Sequence, residues 1–209
     1  MGAKNISMAV IRRLPKYHRY LGDLLDKDIQ RISSKELSDI IGFTASQIRQ
    51  DLNNFGGFGQ QGYGYNVGAL HNEIGKILGL DRKYNAVLIG AGNLGQAIAN
   101  YAGFKKAGFE VKALFDANPR MIGLKIRDFE VLDSENIEEF VKENEIDIAM
   151  LCIPKNGAQN TVNKLVNVGI KGIWNFASID LEVPRDVIVE NVNLTESLFT
   201  LSYLMKEDE

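Results

Sequence analysis

The chain has 209 residues, of which 45% are hydrophobic and 24% are charged, a balance typical of a soluble globular protein with one or two domains. No apolar run reaches the roughly 18 to 20 residues of a membrane span, and the first residues lack a signal-peptide pattern, so we expect a cytoplasmic protein. The single cysteine, Cys152, excludes an intramolecular disulfide, and with only His18 and His71 we expect no metal site.

The net charge of −3 conceals an asymmetry along the chain. Residues 1–79 contain ten basic and seven acidic residues, for a net charge of +3, whereas residues 80–209 contain fourteen and twenty, for −6. A basic segment joined to an acidic one indicates that the first part binds a polyanion, although unevenly scattered surface charge is the alternative.

The N-terminal helical pattern carries clustered basic residues. Ser7 is a candidate N-cap, and Pro15 is expected to break or kink the helix that follows. Arg12 and Arg13 lie just before this break, and both are candidate contacts to DNA.

A helix-turn-helix is predicted for residues 33–55. Ser33 and Glu36 have capping-box spacing, Gly42 marks the turn, and Thr44 is a candidate cap of a second helix. The first helix bears the apolar residues Leu37, Ile40 and Ile41, and the expected buried face of the second consists of Ile48, Leu52 and Phe55. The outer face of the second helix then carries Ser46, Gln47, Arg49, Gln50 and Asn53. These side-chain types contact bases and phosphates, which favours DNA binding over a generic helical hairpin with a polar face.

The glycine-rich stretch after these helices is expected to be a wing. Tyr63 and Tyr65 alternate across Gly64 as they would in a short strand, and the tip of the hairpin would place Gln60 and Gln61 against DNA. A flexible linker is the alternative, but it would leave these aromatic side chains in solvent. One more helix is predicted from Val67 to Leu80.

A second domain begins with an apolar strand that runs directly into a glycine turn. Gly90 permits the turn, Gly92 lets the backbone approach a pyrophosphate, and Gly95 lets the next helix pack closely on the strand. The N–H groups at the start of that helix would face the phosphates. The helix is expected to place Leu94, Ile98 and Tyr101 on one face. The predicted dinucleotide contacts of the turn are Gly90, Ala91, Gly92, Asn93, Leu94 and Gly95.

An acidic residue follows at the offset that a dinucleotide site requires. Asp116 ends the second predicted strand, 21 residues beyond Gly95. A carboxylate there accepts hydrogen bonds from the adenosine ribose and repels a 2′-phosphate, so NAD(H) is favoured over NADP(H).

The alternation of strands and helices continues, which predicts an α/β fold with a doubly wound parallel sheet. The apolar run from Ile146 to Ile153 is expected to be a central strand. Ligands bind at the carboxyl ends of such strands, and Ile153, Pro154, Phe176 and Ala177 are expected at that edge. The final helix, Thr195 to Lys206, has an apolar face too wide for one packing surface, so we expect it to dock on a partner subunit.

The second domain has the composition of a binding module rather than of an enzyme. Hydride transfer usually requires a proton donor or acceptor beside the nicotinamide, but both histidines lie in the first domain. Lys155 and Asp180 are isolated candidates, and Cys152 is interpreted as a small core residue. We therefore expect no catalytic residues. A small NAD-dependent dehydrogenase and a CoA- or ADP-binding Rossmann protein remain the alternatives.

The combination resembles the Rex family of redox-sensing transcriptional repressors over nearly the whole chain. The matching segments are Ser46–Leu52, Phe55–Tyr65, Gly90–Gly95 continuing to Tyr101, Phe115–Asp116, and Asn175–Ala177. The resemblance implies a winged-helix DNA-binding domain at residues 1–80, a Rossmann NAD(H)-binding domain at 84–193, and a helix at 194–209 that is exchanged between subunits.

The resemblance also implies how such a protein works. A homodimer binds a palindromic DNA operator, and NADH releases it, so that genes for fermentation or respiration are expressed. Tyr101 matches a family tyrosine near the nicotinamide that takes part in switching. The sequence departs from the family at Gln50, Gln60 and Gln61, where basic residues are common, and at Asn193, where an acid is common. Each lost cation weakens the attraction to phosphate.

Overall fold

The computed structural model describes residues 6–56, 59–60 and 63–207, with only the backbone of Gly59, Gln60 and Glu207. The chain divides into two compact units, residues 1–82 and 83–209. In the part that the structure describes, no helix is both long enough and apolar enough to cross a membrane.

The first unit is a winged helix. Its elements are α1 (Met8–Ile11), α2 (Leu14–Leu25), β1 (Arg31–Ile32), α3 (Ser34–Ile41), α4 (Ala45–Asn53), β2 (Gly59–Gln60), β3 (Gly64–Asn66) and α5 (Val67–Ile77). The three strands form an antiparallel sheet in the order β1-β3-β2. The fold class predicted for this part of the chain is confirmed, although neither β1 nor its pairing with the wing was predicted.

Local sequence signals produce the predicted helix-turn-helix. Ser33 and Glu36 form the capping box, with the Ser33 amide donating to Glu36 Oε2 and the Glu36 amide to Ser33 Oγ. Gly42 ends α3 at a φ of +80°, a conformation that favours glycine. The Gln47 amide donates to Thr44 Oγ1, which caps α4. Of the apolar residues on α3, Leu37 and Ile41 are buried, whereas Ile40 faces outward.

The two histidines pack α2 against α5. The rings of His18 and His71 stack with their centroids 3.9 Å apart. A β-carbon at Gly75 would lie 3.3 Å from His18 Nε2, and one at Gly22 would lie 3.5 Å from His71 Nε2. Each ring therefore lies over a glycine of the other helix, and burial, together with the neighbouring His71, lowers the pKa of His18.

The second unit is a doubly wound α/β sheet, as predicted. Its elements are β4 (Tyr84–Ile89), α6 (Asn93–Ala99), α7 (Gly103–Lys106), β5 (Phe109–Asp116), β6 (Lys125–Ile126), β7 (Phe129–Asp133), α8 (Ile137–Glu143), β8 (Ile148–Leu151), α9 (Lys155–Asn167), β9 (Gly172–Asn175), β10 (Ile188–Asn191) and α10 (Leu194–Glu207). The strand order is β10-β9-β8-β4-β5-β7-β6. All neighbouring pairs are parallel except β6 with β7, an antiparallel edge that was not predicted.

Both faces of this sheet are covered. Along β4, Ala86 and Leu88 join one apolar cluster, and Val87 and Ile89 join another on the opposite face. The central strands are therefore continuous apolar runs, as expected of a parallel sheet. By contrast, the large apolar side chains of α10 are exposed: Leu194, Leu198, Phe199, Leu201, Tyr203, Leu204 and Met205.

The His18 environment predicts that the first unit loses stability in mild acid. The pKa of His18 is lower in the folded than in the unfolded chain, so the unfolded state takes up the proton more readily. The free energy of unfolding is therefore unaffected above the pKa of about 6.5 that His18 has in the unfolded chain, and it decreases as the pH drops below that value. The protection of the α2 amides against hydrogen exchange, taken relative to the intrinsic exchange rate at each pH, should decrease between about pH 7.5 and 5.5. His18→Phe should reduce this decrease, and an unchanged pH dependence in that variant would show that His18 is not its source.

Candidate functional site

The glycine turn lies where the strand order of the sheet changes direction. After β4 the chain continues to β5 on one side, and it later returns to β8 on the other. The carboxyl ends of β4, β5, β8 and β9 meet at one edge, and the crevice at such a switch point is where open α/β sheets bind ligands. The turn between β4 and α6 therefore occupies the position of a nucleotide site.

Two glycines of the turn are required by close packing. Gly90 has a φ of +101°, and a β-carbon there would lie 2.7 Å from the carbonyl carbon of Cys152. A β-carbon at Gly95 would lie inside van der Waals contact of the Gly90 carbonyl oxygen and 3.1 Å from Leu88 Cδ2. Gly92 differs, because a β-carbon there would meet nothing within 4 Å. The space above Gly92 is thus open to a ligand.

Asp116 connects the glycine turn to the end of β5. Its Oδ2 accepts a hydrogen bond of 2.7 Å from the Ala91 amide, and its Oδ1 accepts one of 2.7 Å from the Asn118 amide. This role was not predicted from the sequence. Each carboxylate oxygen retains a second acceptor site, so a ribose hydroxyl can still donate to it.

The other predicted contacts lie at the same edge of the sheet. Ile153 and Pro154 follow β8, and Pro154 is the N-cap residue of α9. Phe176 and Ala177 follow β9, where the buried Asn175 accepts from the Ala177 amide and donates to Asn191 Oδ1 and the Ile179 carbonyl. The Asn175 amide thereby holds the loop that carries two predicted contacts, which the sequence did not indicate.

Tyr101 does not lie on the helix face that was predicted to carry it. Helix α6 ends at Ala99, so Tyr101 follows it, at the opposite end from the glycine turn and with 62% of its surface exposed. Its ring packs edge-on against that of Phe104, with the ring centroids 4.8 Å apart. The centroids of Phe104 and Trp174 are 5.5 Å apart, and those of Trp174 and Phe176 are 4.6 Å apart. A chain of edge-on aromatic contacts therefore connects Tyr101 to the ligand edge.

Tyr101 and Lys105 have a spacing that the sequence interpretation overlooked. Some dehydrogenases use Tyr-x-x-x-Lys to place a proton donor beside the nicotinamide, and this chain has that spacing here. The two residues line a cavity of about 370 Å³ with Asn100 and Arg127, and Arg127 Nη1 donates to the Asn100 carbonyl. They do not share one regular helix, because α7 begins only at Gly103. The spacing nevertheless keeps the enzyme alternative open to experiment.

Cys152 has the properties of a core residue. Burial raises the pKa of its thiol to about 12, so it remains protonated near neutral pH. Its amide donates to the Ile89 carbonyl at 2.7 Å, which places it directly after β8 and beside the glycine turn.

Helix α4 presents an exposed polar surface. Ser46, Arg49, Gln50 and Asn53 are all exposed on it, and Arg49 Nη1 donates to Ser34 Oγ at 2.9 Å. Arg49 therefore lies along the start of α3 in the free protein. Arg12 is exposed between α1 and α2, whereas Gln60 belongs to β2 and Gln61 lies outside the described residues.

Two of the predicted DNA contacts, Arg13 and Gln47, donate hydrogen bonds to a buried carboxylate. Asp51, on the inner face of α4, has no exposed surface. It accepts from Arg13 Nε at 2.6 Å, Arg13 Nη2 at 2.8 Å, Tyr17 Oη at 2.7 Å and Gln47 Nε2 at 2.9 Å. Composition and periodicity did not indicate this network. The one signal that could have indicated part of it is the spacing of Gln47 and Asp51, which are four residues apart on one helix.

The two units together define a class of protein in which a winged helix is joined to a nucleotide-binding type of sheet. A family profile described as "Putative DNA-binding protein N-terminus" matches residues 5–53, and one described as "CoA binding domain" matches residues 81–179. The "Redox-sensing transcriptional repressor Rex" of Clostridioides difficile (strain 630) is 86% identical over 207 residues, which are 99% of each chain.

Solved structures agree with this similarity. The Rex-family repressor RSP in complex with β-NAD⁺ and operator DNA is 65% identical, with a TM-score of 0.92 over 98% of this chain and 94% of RSP. RSP in complex with β-NADH is 62% identical, with a TM-score of 0.89 over 98% and 96%. The chain belongs to the Rex family of redox-sensing transcriptional repressors.

The geometry of Gly95 predicts that even a methyl group there is not tolerated. Gly95→Ala should destabilise the second unit by about 1–3 kcal/mol, because the new carbon overlaps the Gly90 carbonyl and backbone must move. Gly157→Ala is the matched control, since that glycine is in the first turn of α9 with nothing within 4 Å. It should be neutral or stabilising. Thermal unfolding measures both, and equal midpoints would contradict the packing argument.

Proposed function

We propose that this chain is a DNA-binding repressor that senses the ratio of NADH to NAD⁺. As a homodimer it binds palindromic operators, and NADH releases it so that fermentation or respiration genes are expressed. The observation that carries this proposal is the joining of a polar α4 surface on a winged helix to a glycine turn at a sheet switch point. RSP, similar over nearly its whole length, is known in complex with operator DNA and with both forms of the dinucleotide.

The residues at the sheet edge fit NAD(H). Open space above Gly92 admits a pyrophosphate, and the Asp116 carboxylate, already held by the Ala91 amide, has acceptor sites for ribose hydroxyls. The same negative charge repels a 2′-phosphate, so NADP(H) binds more weakly. The bound nicotinamide supplies the redox signal. The protein contributes Ile153, Pro154 and the loop at Phe176 and Ala177, which would hold that end of the ligand.

Release from DNA requires two states with different affinities for NADH. A ligand shifts such an equilibrium only by its difference in affinity for the two states. A 100-fold loss of operator affinity therefore requires about 2.7 kcal/mol of coupling between the two sites. The aromatic contacts from Phe176 through Trp174 and Phe104 to Tyr101 offer a route by which the occupied edge influences an exposed surface.

The chain is proposed to bind the nicotinamide without consuming it, in the cytoplasm. Burial keeps the Cys152 thiol protonated near neutral pH, so it does not supply a base at the sheet edge. Helix α10 is proposed to be exchanged between subunits, because its apolar side chains are exposed on the isolated chain. In this arrangement 1–80 is the DNA-binding domain, 84–193 the dinucleotide domain and 194–209 the exchanged segment.

The decisive experiment is a titration of operator binding with NADH at fixed NAD⁺. We expect the apparent DNA affinity to fall as NADH rises, with little effect of NADPH or CoA. Unchanged DNA binding at saturating NADH would contradict the proposal, and competition by CoA would favour the CoA-binding alternative. A substrate-dependent loss of reduced-nicotinamide absorbance, abolished by Tyr101→Phe or Lys105→Ala, would favour the dehydrogenase alternative.

Asp116→Ala should weaken NADH binding at least about tenfold while leaving operator binding without nucleotide intact. The variant removes a charged acceptor for ribose and the anchor of the Ala91 amide, and charged hydrogen bonds contribute about 1.5–3 kcal/mol each. Quenching of Trp174, the single tryptophan and a neighbour of Phe176, reports binding. Asp186→Asn, at an exposed carboxylate, is the control, and unchanged NADH affinity in Asp116→Ala would remove Asp116 from the site.

Arg49→Ala should cost about 1–3 kcal/mol of operator affinity and relax base preference at one operator position. The guanidinium is exposed on α4 and carries the charge and the paired donors that recognise guanine. Ser34→Ala is the control, because it removes only the partner that Arg49 has in the free protein. Equal operator binding by Arg49→Ala and the parent protein in a gel-shift titration would refute the assignment.

Leu198→Glu combined with Leu201→Glu should convert the homodimer to monomers. The two side chains lie one turn apart on the exposed apolar face of α10, and buried carboxylates without partners are strongly unfavourable. Light scattering measures the mass, with Thr195→Glu at the start of the helix as the control. A double variant that remains dimeric would exclude this face of α10 from the subunit interface.

A further inference from the structure

The buried carboxylate of Asp51 has no acceptor site left unused. Oδ2 accepts from Arg13 Nε and Tyr17 Oη, and Oδ1 accepts from Arg13 Nη2 and Gln47 Nε2. An ionised carboxylate has about four lone-pair sites, and all four are occupied here. Gln47 supplies the fourth of these hydrogen bonds. Of the three donor residues, it is the one that lies in the first turn of α4.

This carboxylate is held in its charged form. Burial by itself raises the pKa of Asp51, but the hydrogen bonds from Arg13, Tyr17 and Gln47 outweigh burial and lower it below the ordinary value. The paired Arg13 guanidinium has a raised pKa for the same reason, its hydrogen bond to Asp51. Asp51 is therefore an acceptor only, throughout the neutral pH range.

An acceptor-only partner determines how the Gln47 amide is turned. Only the NH₂ group of Gln47 can face Asp51, because a reversed amide would place Oε1 against a carboxylate oxygen. The carbonyl Oε1 then points away from Asp51, and the second Nε2 hydrogen remains available. Because the N-terminal residues of a recognition helix contact base edges, this orientation decides what Gln47 offers to DNA.

The structure assigns Asp51 as a positioning residue for base specificity, since by orienting the Gln47 amide it makes α4 select a base that presents a hydrogen-bond donor. In the major groove the donors are adenine N6 and cytosine N4, and adenine also offers N7 to the remaining Nε2 hydrogen. Guanine and thymine present only acceptors there, so they can bind the remaining Nε2 hydrogen but leave Oε1 without a donor. This inference rests on the proposed function of operator binding.

The test measures base preference position by position. Palindromic duplexes selected by the parent protein from a random library are varied symmetrically at each half-site position, and binding of the full-length protein is followed by fluorescence anisotropy. Gln47→Met, which keeps the shape but cannot hydrogen-bond, identifies the position that Gln47 recognises. There the parent should prefer adenine or cytosine by about tenfold over guanine or thymine.

Asp51→Asn should lower this preference to less than about threefold at that position alone, because an amide partner accepts either orientation of Gln47. Asp23→Asn, at an exposed site on α2, makes the same change in net charge and should leave every preference unchanged. In the Gln47→Met background, Asp51→Asn should produce no further change in preference at this position. A uniform loss of affinity over all positions would show a merely structural role and overturn the inference.

The outcomes separate this inference from the proposed function. Failure of the parent protein to select any DNA would contradict the proposed function, whereas full base preference in a folded Asp51→Asn variant would contradict only the inference. If Asp51→Asn does not fold, nuclear magnetic resonance of the parent protein decides. One of the two Gln47 Nε2 hydrogens should exchange slowly with water, and rapid, equal exchange of both would refute the fixed orientation.

Discussion

The second unit depends on how closely α6 lies against β4. Gly95 has no side chain, so its α-carbon packs beside the Gly90 carbonyl and Leu88, and the start of the helix meets the end of the strand. Asp116, Ile153 and Phe176 reach the same edge because β5, β8 and β9 run parallel to β4 and end there together. A larger residue at position 95 would displace the surface on which all of these side chains converge.

Two carboxylates fix the positions of groups at the two candidate sites by accepting hydrogen bonds from them. Asp116 accepts from the backbone of the glycine turn, and Asp51 accepts from Arg13, Tyr17 and Gln47 beneath the exposed face of α4. Hydrogen bonds to charged groups are stronger than those between neutral groups, and Asp51 is in addition fully buried. Both sites are therefore preorganised by groups that were not singled out for this role from sequence.

Much of the fold followed from short-range patterns. Capping residues, the positive-φ glycine at position 42 and the glycine spacing from Gly90 to Gly95 act within a few residues, so spacing alone predicts their effect. Tyr101 was misplaced because helix periodicity does not show where a helix ends. The edge strand β6 has only two residues, too few for a periodic signal.

The sequence by itself determined the order of the longer helices and strands, the nucleotide-type turn, the helix-turn-helix and the resemblance to the Rex family, because each is encoded in consecutive or regularly spaced residues. Only the tertiary structure decided which polar groups meet. Arg13 and Asp51 are 38 residues apart, and Ala91 and Asp116 are 25 apart, yet each pair is within hydrogen-bonding distance. No periodicity extends over such separations, because these contacts arise only when the helices and strands pack together.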